Sequence, residues 1–481
     1  MSEDQPINRT RIHETRRDLI NLRRDFELWQ HNRTIKDKLQ QYHSQLGILN
    51  RVMSSALERL ETQLDVSQAS QPIDRVYRSC RAVDQGLVFL KRVWDYYRSK
   101  FDQRDHAELR DVLAAADEVV WSCYAEAFRS AKVDCRPAPL PYIDAKYSPE
   151  AQRRCEPPPD LQATSPELRE FFKEMPIPVI SLPPVTVESP WWLIFLGHEV
   201  GHQVEQDLIQ VIGPADGFRK ALRSAATGEP DPKCDEASAQ DWESWAEEIF
   251  ADAFSVCTMG QWAVWAMARL EISDGASMIR KKAKYPPPVV RLSLLREMVS
   301  AVRKDDKAGR PSLSDFEFEP GDIVRPKDED KVSSILREKA ASNLAMTPKI
   351  AAAAISMAPD GKKPLAELCG WRAREFEAKG DVYNWSKGLL GTQPLFVDKA
   401  LRAPRLIACA AVAAWAQIAT HLDGTLRDEA SDKLRRAFLT HAVESREDGT
   451  RAELVQAVTK AQATALEDRL ADLLKNAADA D

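Results

Sequence analysis

Two histidines near the middle of the chain have the spacing of metal ligands. Residues 198–202 read HEVGH, so on a helix His198 and His202 project from one face, one turn apart. Ser189 is a favoured N-cap residue and Pro190 suits the first helical position, so we predict that a helix begins there. Two imidazoles in this arrangement can bind one divalent ion, and Glu199 is placed to reach a water molecule on that ion. The alternative is a pair of hydrogen-bonded histidines on a buried helix.

A catalytic zinc ion needs a third protein ligand, which we predict on a second helix over residues 241–254. At about 100° per residue, Glu248 and Asp252 lie only about 40° apart, at the edge of an apolar arc, whereas Glu243 and Glu247 lie on the wetter side. A carboxylate in that position is costly unless it is paired or binds metal, so Glu248 is the predicted third ligand. Asp252, one turn on, is predicted to accept the second N–H of a liganding histidine. The alternative is that both acids are ordinary solvated helix residues. The arc itself is formed by Trp242, Trp245, Ile249, Phe250, Ala253, Val256 and Cys257.

The two motifs together, HEVGH and EIFAD at residues 248–252, resemble the gluzincin metallopeptidases, the thermolysin-like branch of the zincins. In that family the HExxH helix supplies two ligands and a later ExxxD helix supplies a glutamate. The resemblance implies a zincin-like catalytic core with one zinc ion per chain, bound by His198, His202 and Glu248. It covers roughly residues 178–300. The 46 residues from His202 to Glu248 imply an insertion around residues 213–235.

A third segment extends the resemblance. Residues 285–291, YPPPVVR, are similar to the HPxxxxR element that follows ExxxD in gluzincins of the CAAX-prenyl-protease type. The likeness places Tyr285 at the position of a histidine that steadies the oxyanion, and Arg291 at that of the family's arginine. A phenol is likewise a neutral donor able to stabilise an oxyanion. That family is embedded in membranes, whereas this chain has no predicted membrane-spanning helix. The alternative interpretation of YPPP is a rigid turn before a helix.

Composition limits the partners and the compartment. The 481 residues carry 67 Lys plus Arg against 74 Asp plus Glu, and this net charge of −7 disfavours non-specific binding to nucleic acid. The 8 cysteines form no CxxC pair, so neither a disulfide framework nor a thiolate zinc site is indicated. The N-terminus has no apolar signal segment, and the most apolar stretch, Leu406 to Ala419, is interpreted as too short to span a bilayer. We therefore expect a soluble, cytoplasmic protein without a membrane span.

The rest of the chain has the pattern of a mainly α-helical protein. Ile12, Leu19 and Phe26 recur at seven-residue spacing, which predicts an N-terminal helical bundle or antiparallel coiled coil. Further amphipathic helices are expected near 73–102 and 107–132. These helices are either a scaffold or an arm for self-association or partner binding.

Shifts in composition divide the chain into four predicted parts. They are an N-terminal helical region (1–134), a metallopeptidase core (135–305), a linker (306–329) and a C-terminal helical domain (330–481). Within the core, prolines enclose the β-branched segment 177–185. We interpret it as a short edge strand that could pair with an extended peptide.

These motifs predict a zinc metalloendopeptidase that acts on a specific intracellular protein or peptide. Zinc lowers the pKa of a bound water molecule towards about 7, and Glu199 would accept its proton and deliver it to the leaving amine. Tyr285 and Arg291 would help to hold the charge that develops on the carbonyl oxygen. Two alternatives stay open: a non-catalytic interaction or regulatory protein with a structural metal, and a zinc hydrolase of a non-peptide amide. An intact Glu199 argues against the first, because a structural site needs no general base.

Overall fold

The fold is seen in a computed structural model that describes most of the chain. The described residues are 5–34, 43–62, 64, 69–156, 158, 161, 175–214, 216–229, 234–281, 284–303, 331–359, 361, 363–377 and 379–447. They are mainly helical, as predicted, and include a small three-stranded sheet. The predicted linker 306–329 lies outside the described residues, and the predicted division into four parts stays a prediction.

Three long helices form an N-terminal bundle. They are α1 (Gln5–Thr34), α2 (His43–Thr62) and α3 (Ile73–Asp102), of which α3 has the predicted bounds. The residues at seven-residue spacing all face the bundle core, because Ile12, Leu19 and Phe26 are at most 3% exposed. The spacing therefore predicted the buried face of α1 correctly.

The sheet has the order β1-β3-β2, with β1 (Leu140–Ile143) parallel and β2 (Glu150–Gln152) antiparallel to β3 (Val179–Leu182). The prediction of an edge strand at 177–185 is therefore wrong, because β3 is the central strand. Its prolines flank the four paired residues and remove no N–H from the ladder. The edge strand that approaches the predicted site is β2.

The two faces of the sheet belong to different hydrophobic cores. Leu140 and Val179 pack into the N-terminal bundle, whereas Ile180 and Leu182 pack into a larger core that contains the predicted site helices. This division follows from the alternation of side chains along a strand. The sheet thus joins the bundle to the rest of the protein.

The larger core is built from helices that surround the HEVGH segment. The chain enters that segment through a 3₁₀ turn, Pro190–Phe195, and Ser189 makes no capping side-chain bond, so the regular helix begins later than predicted. The helices of this part are α4 (Ala107–Ala131), α5 (Val185–Glu188), α6 (Leu196–Val204), α7 (Gln210–Ile212), α8 (Gly217–Thr227), α9 (Glu236–Ser244), α10 (Ala246–Met259), α11 (Gln261–Glu271), α12 (Gly275–Met278), α13 (Pro288–Val302), α14 (Lys331–Ser356), α15 (Leu365–Leu368), α16 (Asp381–Leu389), α17 (Ala403–His421) and α18 (Gly424–Glu444).

One helix in the described part of the chain, α17, is long and apolar enough to cross a membrane. It has 19 residues, so the interpretation of Leu406 to Ala419 as too short underestimated its length. However, 72% of its apolar window is buried inside the protein, where it packs against α4, α16 and α18. Its apolar character is that of a core helix.

Substitutions at neighbouring positions on α1 test the bundle core. Leu19→Ala removes a fully buried side chain and should lower the free energy of unfolding by about 2–5 kcal/mol. Ile20→Ala removes a side chain that is 49% exposed and should change it by less than about 0.5 kcal/mol. Urea denaturation followed by circular dichroism measures both. Equal losses would mean that α1 presents a different face to the bundle.

Candidate metal centre

Helix α6 carries both histidines, one turn apart on the same face. The centroids of their rings lie 4.9 Å apart and the ring planes are nearly perpendicular, at 88°. Both side chains are largely buried, with 8% of His198 and 12% of His202 exposed. The helical spacing therefore brings the two imidazoles together as predicted.

A second helix, α10, presents the acids. It follows α9 after a break at Trp245. Glu248 and Asp252 are buried, at 7% and 1% exposure, on the face of α10 where their position beside the apolar arc predicted them. Glu247 lies elsewhere, 39% exposed and paired with arginines outside the site. Burial thus separates the two neighbouring glutamates.

Three potential ligand atoms converge between α6 and α10. Glu248 Oε2 lies 3.4 Å from His198 Nε2 and 3.7 Å from His202 Nε2, and the ligand atoms of the three residues all lie within 4.8 Å of one another. Ligands about 2.1 Å from an ion at the centre of a tetrahedron are about 3.4 Å apart, so one ion fits these distances. Glu248 Oε2 is buried and makes no hydrogen bond within the described part of the chain. This group could hold a metal ion, and its composition of two imidazoles and a carboxylate suits zinc.

The close approach of α6 and α10 depends on the glycine inside HEVGH. A Cβ atom on Gly201 would lie 2.9 Å from Ala251 Cα and 3.2 Å from Ala251 O, which are backbone atoms of α10. A Cβ atom on Gly197 would instead meet the side chain of Met259, at 2.7 Å from its Cγ. Because backbone moves less readily than a methionine side chain, Gly201 sets the distance between the two helices.

Asp252 supports the site from the side away from Glu248. His198 Nδ1 lies 2.8 Å from Asp252 Oδ1, the contact expected for outer support of a liganding histidine. Arg291, on α13, donates to the same carboxylate from Nε at 2.8 Å and from Nη2 at 2.9 Å. Burial alone would raise the pKa of Asp252, but the charge of Arg291, the close approach of His198 and the hydrogen bonds from Arg291 outweigh it, so this pKa is lowered. Asp252 therefore stays ionised and orients the His198 ring.

Arg291 is buried and already has two acidic partners. Besides Asp252, its Nη1 donates to Glu271 Oε1 at 3.1 Å. Its Nη2 lies 3.4 Å from His198 Nε2 and 3.6 Å from Glu248 Oε2. The structure thus places Arg291 beside the three ligands, and its predicted contact with a substrate oxygen stays a prediction.

Tyr285 lies against Arg291, with the guanidinium carbon 5.1 Å from the centroid of the phenol ring. Burial, followed by the negative charge of Glu248, raises the pKa of Tyr285 to about 12, and Glu199 contributes in the same direction. The phenol therefore keeps its proton at neutral pH. The phenol is a neutral group close to the acids of the site, and its predicted role as an oxyanion donor stays a prediction.

Burial also sets the protonation of the residues on α6. Burial raises the pKa of Glu199 to about 7, aided by the charge of Glu248. Burial would lower the pKa of His198, but the carboxylates of Asp252 and Glu248 beside it raise it to about 10. Burial and the neighbouring His198 charge lower the pKa of His202 to about 3. His198 can therefore carry a proton among the carboxylates.

The edge strand β2 approaches the site through its backbone. Strand β2 packs against α6, and the backbone of Ala151 lies close enough to the Glu199 carboxyl group to counter the effect of burial on its pKa. Because β2 pairs with β3 on its other side, this contact places Glu199 at the outer edge of the sheet. Sequence analysis missed Ala151, and no signal in the residues EAQ could have identified a backbone group.

Comparison with known proteins gives no relative for this chain. No protein-family model matches it, and neither curated proteins nor solved structures give a significant match. The likeness to gluzincins therefore rests on the motifs and on the arrangement of His198, His202 and Glu248.

Neighbouring glutamates on α10 provide a test of the metal ligands. Glu248→Ala should abolish tight zinc binding, because it removes one of three converging ligand atoms, whereas Glu247→Ala should leave it unchanged. Isothermal titration of the metal-free protein with zinc measures both affinities. Loss of binding in the Glu247 variant alone would contradict the assignment.

The glycines of α6 test the contact between the helices. Gly201→Ala should force α6 away from α10, destabilise the fold by about 1–3 kcal/mol and weaken zinc binding. Gly197→Ala should cost less, since Met259 can move. Thermal unfolding and zinc titration of the two variants compare them directly, and an equal zinc affinity in both would show that Gly201 does not set the site.

Proposed function

We propose that this chain is a zinc metallopeptidase that hydrolyses a peptide bond in an extended protein segment. The observation that carries the proposal is the buried group of His198, His202 and Glu248 with the Glu199 carboxyl group beside it. The group has three members, so among the residues that the structure describes no fourth ligand closes it. When bound, the zinc ion would acidify a water molecule and polarise the scissile carbonyl.

Glu199 is proposed as the general base. A pKa of about 7 lets its carboxyl group take a proton at neutral pH and release it again in a later step. Its place between the two histidines in the sequence puts it beside the ligands without making it one of them. In this proposal Glu199 takes the proton of the attacking water molecule and delivers it to the leaving amine.

The outer edge of β2 is proposed as the docking strand for substrate. Extended peptides add to open sheet edges through backbone hydrogen bonds, which need no particular side chain. This edge lies beside the proposed general base, because β2 packs against α6 and the backbone of Ala151 is close to Glu199. A peptide paired there would run past the ligand group, and this favours a peptide over a small amide as substrate.

Tyr285 and Arg291 are proposed to act at different distances from the reaction. The Tyr285 phenol, protonated and close to Glu199 and Glu248, would donate to the oxygen that gains charge. Arg291 would act through Asp252, whose carboxylate orients His198. In this assignment Tyr285 touches the substrate, whereas Arg291 is a positioning residue.

The two alternatives are less well supported. A structural metal site normally has four protein ligands and has no use for a buried carboxyl group with a pKa near 7 beside it. A zinc hydrolase of a non-peptide amide would have the same three ligands, but it would not need the sheet edge at Glu199. The position of β2 therefore supports the proposal of a peptidase over that of a hydrolase of a small amide.

Replacement of the general base separates catalysis from metal binding. Glu199→Gln keeps the size of the side chain and removes its basicity, so zinc content should stay at about one per chain while peptidase activity falls at least about 10²-fold. Elemental analysis gives the zinc content, and a library of quenched fluorescent peptides gives the activity. A zinc-loaded wild-type protein that cleaves no member of the library would contradict the proposed function, as would full activity in the variant.

A further inference from the structure

Two fully buried charged residues lie outside the metal centre, at the junction between the sheet and helix α6. Arg154 follows β2 by two residues, and Asp207 lies in a π-helical turn, Glu205–Ile209, that continues α6. Each is 1% exposed. Arg154 Nε lies 3.0 Å from Asp207 Oδ2 and 3.2 Å from Oδ1.

The guanidinium of Arg154 reaches the chain entering both other strands. Its Nη1 donates to Pro176 O at 2.5 Å, just before β3, and its Nη2 donates to Pro137 O, just before β1. The backbone oxygen of Arg154 accepts from Met175 N–H at 2.7 Å. Arg154 thus links the segments that precede β1 and β3 to the segment that follows β2.

Asp207 completes the connection on the helix side. Besides Arg154, its carboxylate accepts from Tyr124 OH at 2.6 Å and from Arg136 Nη1 at 3.2 Å. The π turn lies directly after α6, so this anchored carboxylate belongs to the same continuous helix as Glu199. A buried ion pair with this many directional hydrogen bonds contributes little net stability, but it determines the relative position of the segments that it joins.

We propose that Arg154 and Asp207 are positioning residues that hold the edge strand β2 against Glu199. The strand is only three residues long and has one neighbour in the sheet, so its own ladder cannot fix its distance from α6. The ion pair sets the distance between β2 and α6, because Arg154 lies just after β2 and Asp207 lies in the turn that continues α6. The inference rests on the proposed function, because the strand is the proposed docking edge for a peptide.

Removal of both charges together tests this role. In Arg154→Met/Asp207→Leu neither charge of the pair is left buried alone, so the protein should fold and bind zinc as before. Tyr124, Arg136 and the carbonyl groups of Pro137 and Pro176 each lose one hydrogen-bond partner, which should lower the free energy of unfolding without unfolding the protein. Amide hydrogen exchange of the segment 148–153, followed by mass spectrometry, should become about tenfold faster. With the quenched fluorescent peptides, KM should rise about tenfold and kcat should change less than about threefold, because the loss is in substrate docking.

A second buried arginine–aspartate pair provides the matched control. Arg104 and Asp117 are each 5% exposed, with Arg104 Nη2 2.9 Å from Asp117 Oδ1, and Arg104 also donates to Pro141 O in β1, at the far edge of the sheet. Arg104→Met/Asp117→Leu should leave exchange in 148–153 within about twofold of the wild type. Arg154→Lys is the second variant at the site, since an amine facing Asp207 cannot also reach both proline carbonyls, and it should speed up exchange in 148–153 while the protein stays folded.

The inference is overturned if exchange in 148–153 stays at the wild-type rate in the folded double variant or in Arg154→Lys. It is also overturned if the control pair speeds up that segment equally, because the effect would then be a general loosening of the sheet. Hydrogen exchange needs no substrate, so a failure of the proposed function is seen separately, as a zinc-loaded wild type without peptidase activity. In that case faster exchange in 148–153 would still support the pair as the anchor of β2.

Discussion

The site depends on the close contact between α6 and α10. Gly201 lies against the backbone of Ala251, and this contact leaves no room for a side chain. On α6, His202 directly follows Gly201, and His198 lies about one turn before it. On α10, Glu248 lies about one turn before Ala251. The distance between the helix axes therefore determines whether the three ligand atoms can reach one ion. The apolar residues around α10 stabilise that distance, since nearly all of this helix is buried.

A second constraint is the charge enclosed by this contact. Glu199, Glu248 and Asp252 are all buried, and Arg291 pairs directly with Asp252. Carboxylates in such surroundings are costly unless a positive charge compensates them. The raised pKa of His198 supplies part of that charge as a proton. A divalent ion on the three candidate ligands would supply more, so the buried acids favour binding of a metal ion.

The sequence predicted those features that depend on local spacing. Helical periodicity distinguished Glu248 from Glu247, identified the buried face of α1 and gave the bounds of α3, because one helix face is determined by residues three and four apart. It failed for the strand at 179–182, because the partners of β3 lie about 30 to 40 residues away and no local pattern shows which strand is central. It also gave no sign of the Arg154–Asp207 pair, since two residues 53 positions apart meet only when the sheet has packed on α6.

The candidate metal site and the proposed docking edge therefore depend on different interactions. The ligands sit on two helices whose packing is apolar and extensive, so their geometry follows from the larger core. The proposed docking edge is a three-residue strand at the margin of a small sheet, and in our proposal its position depends on polar contacts made by a single arginine. Hydrophobic packing tolerates small changes in side-chain shape, whereas a buried ion pair loses its geometry when one donor is removed. Substitutions in this protein should therefore affect metal binding and peptide docking separately, because the candidate ligands lie within α6 and α10, whereas the proposed anchor of the strand lies in the turn that continues α6.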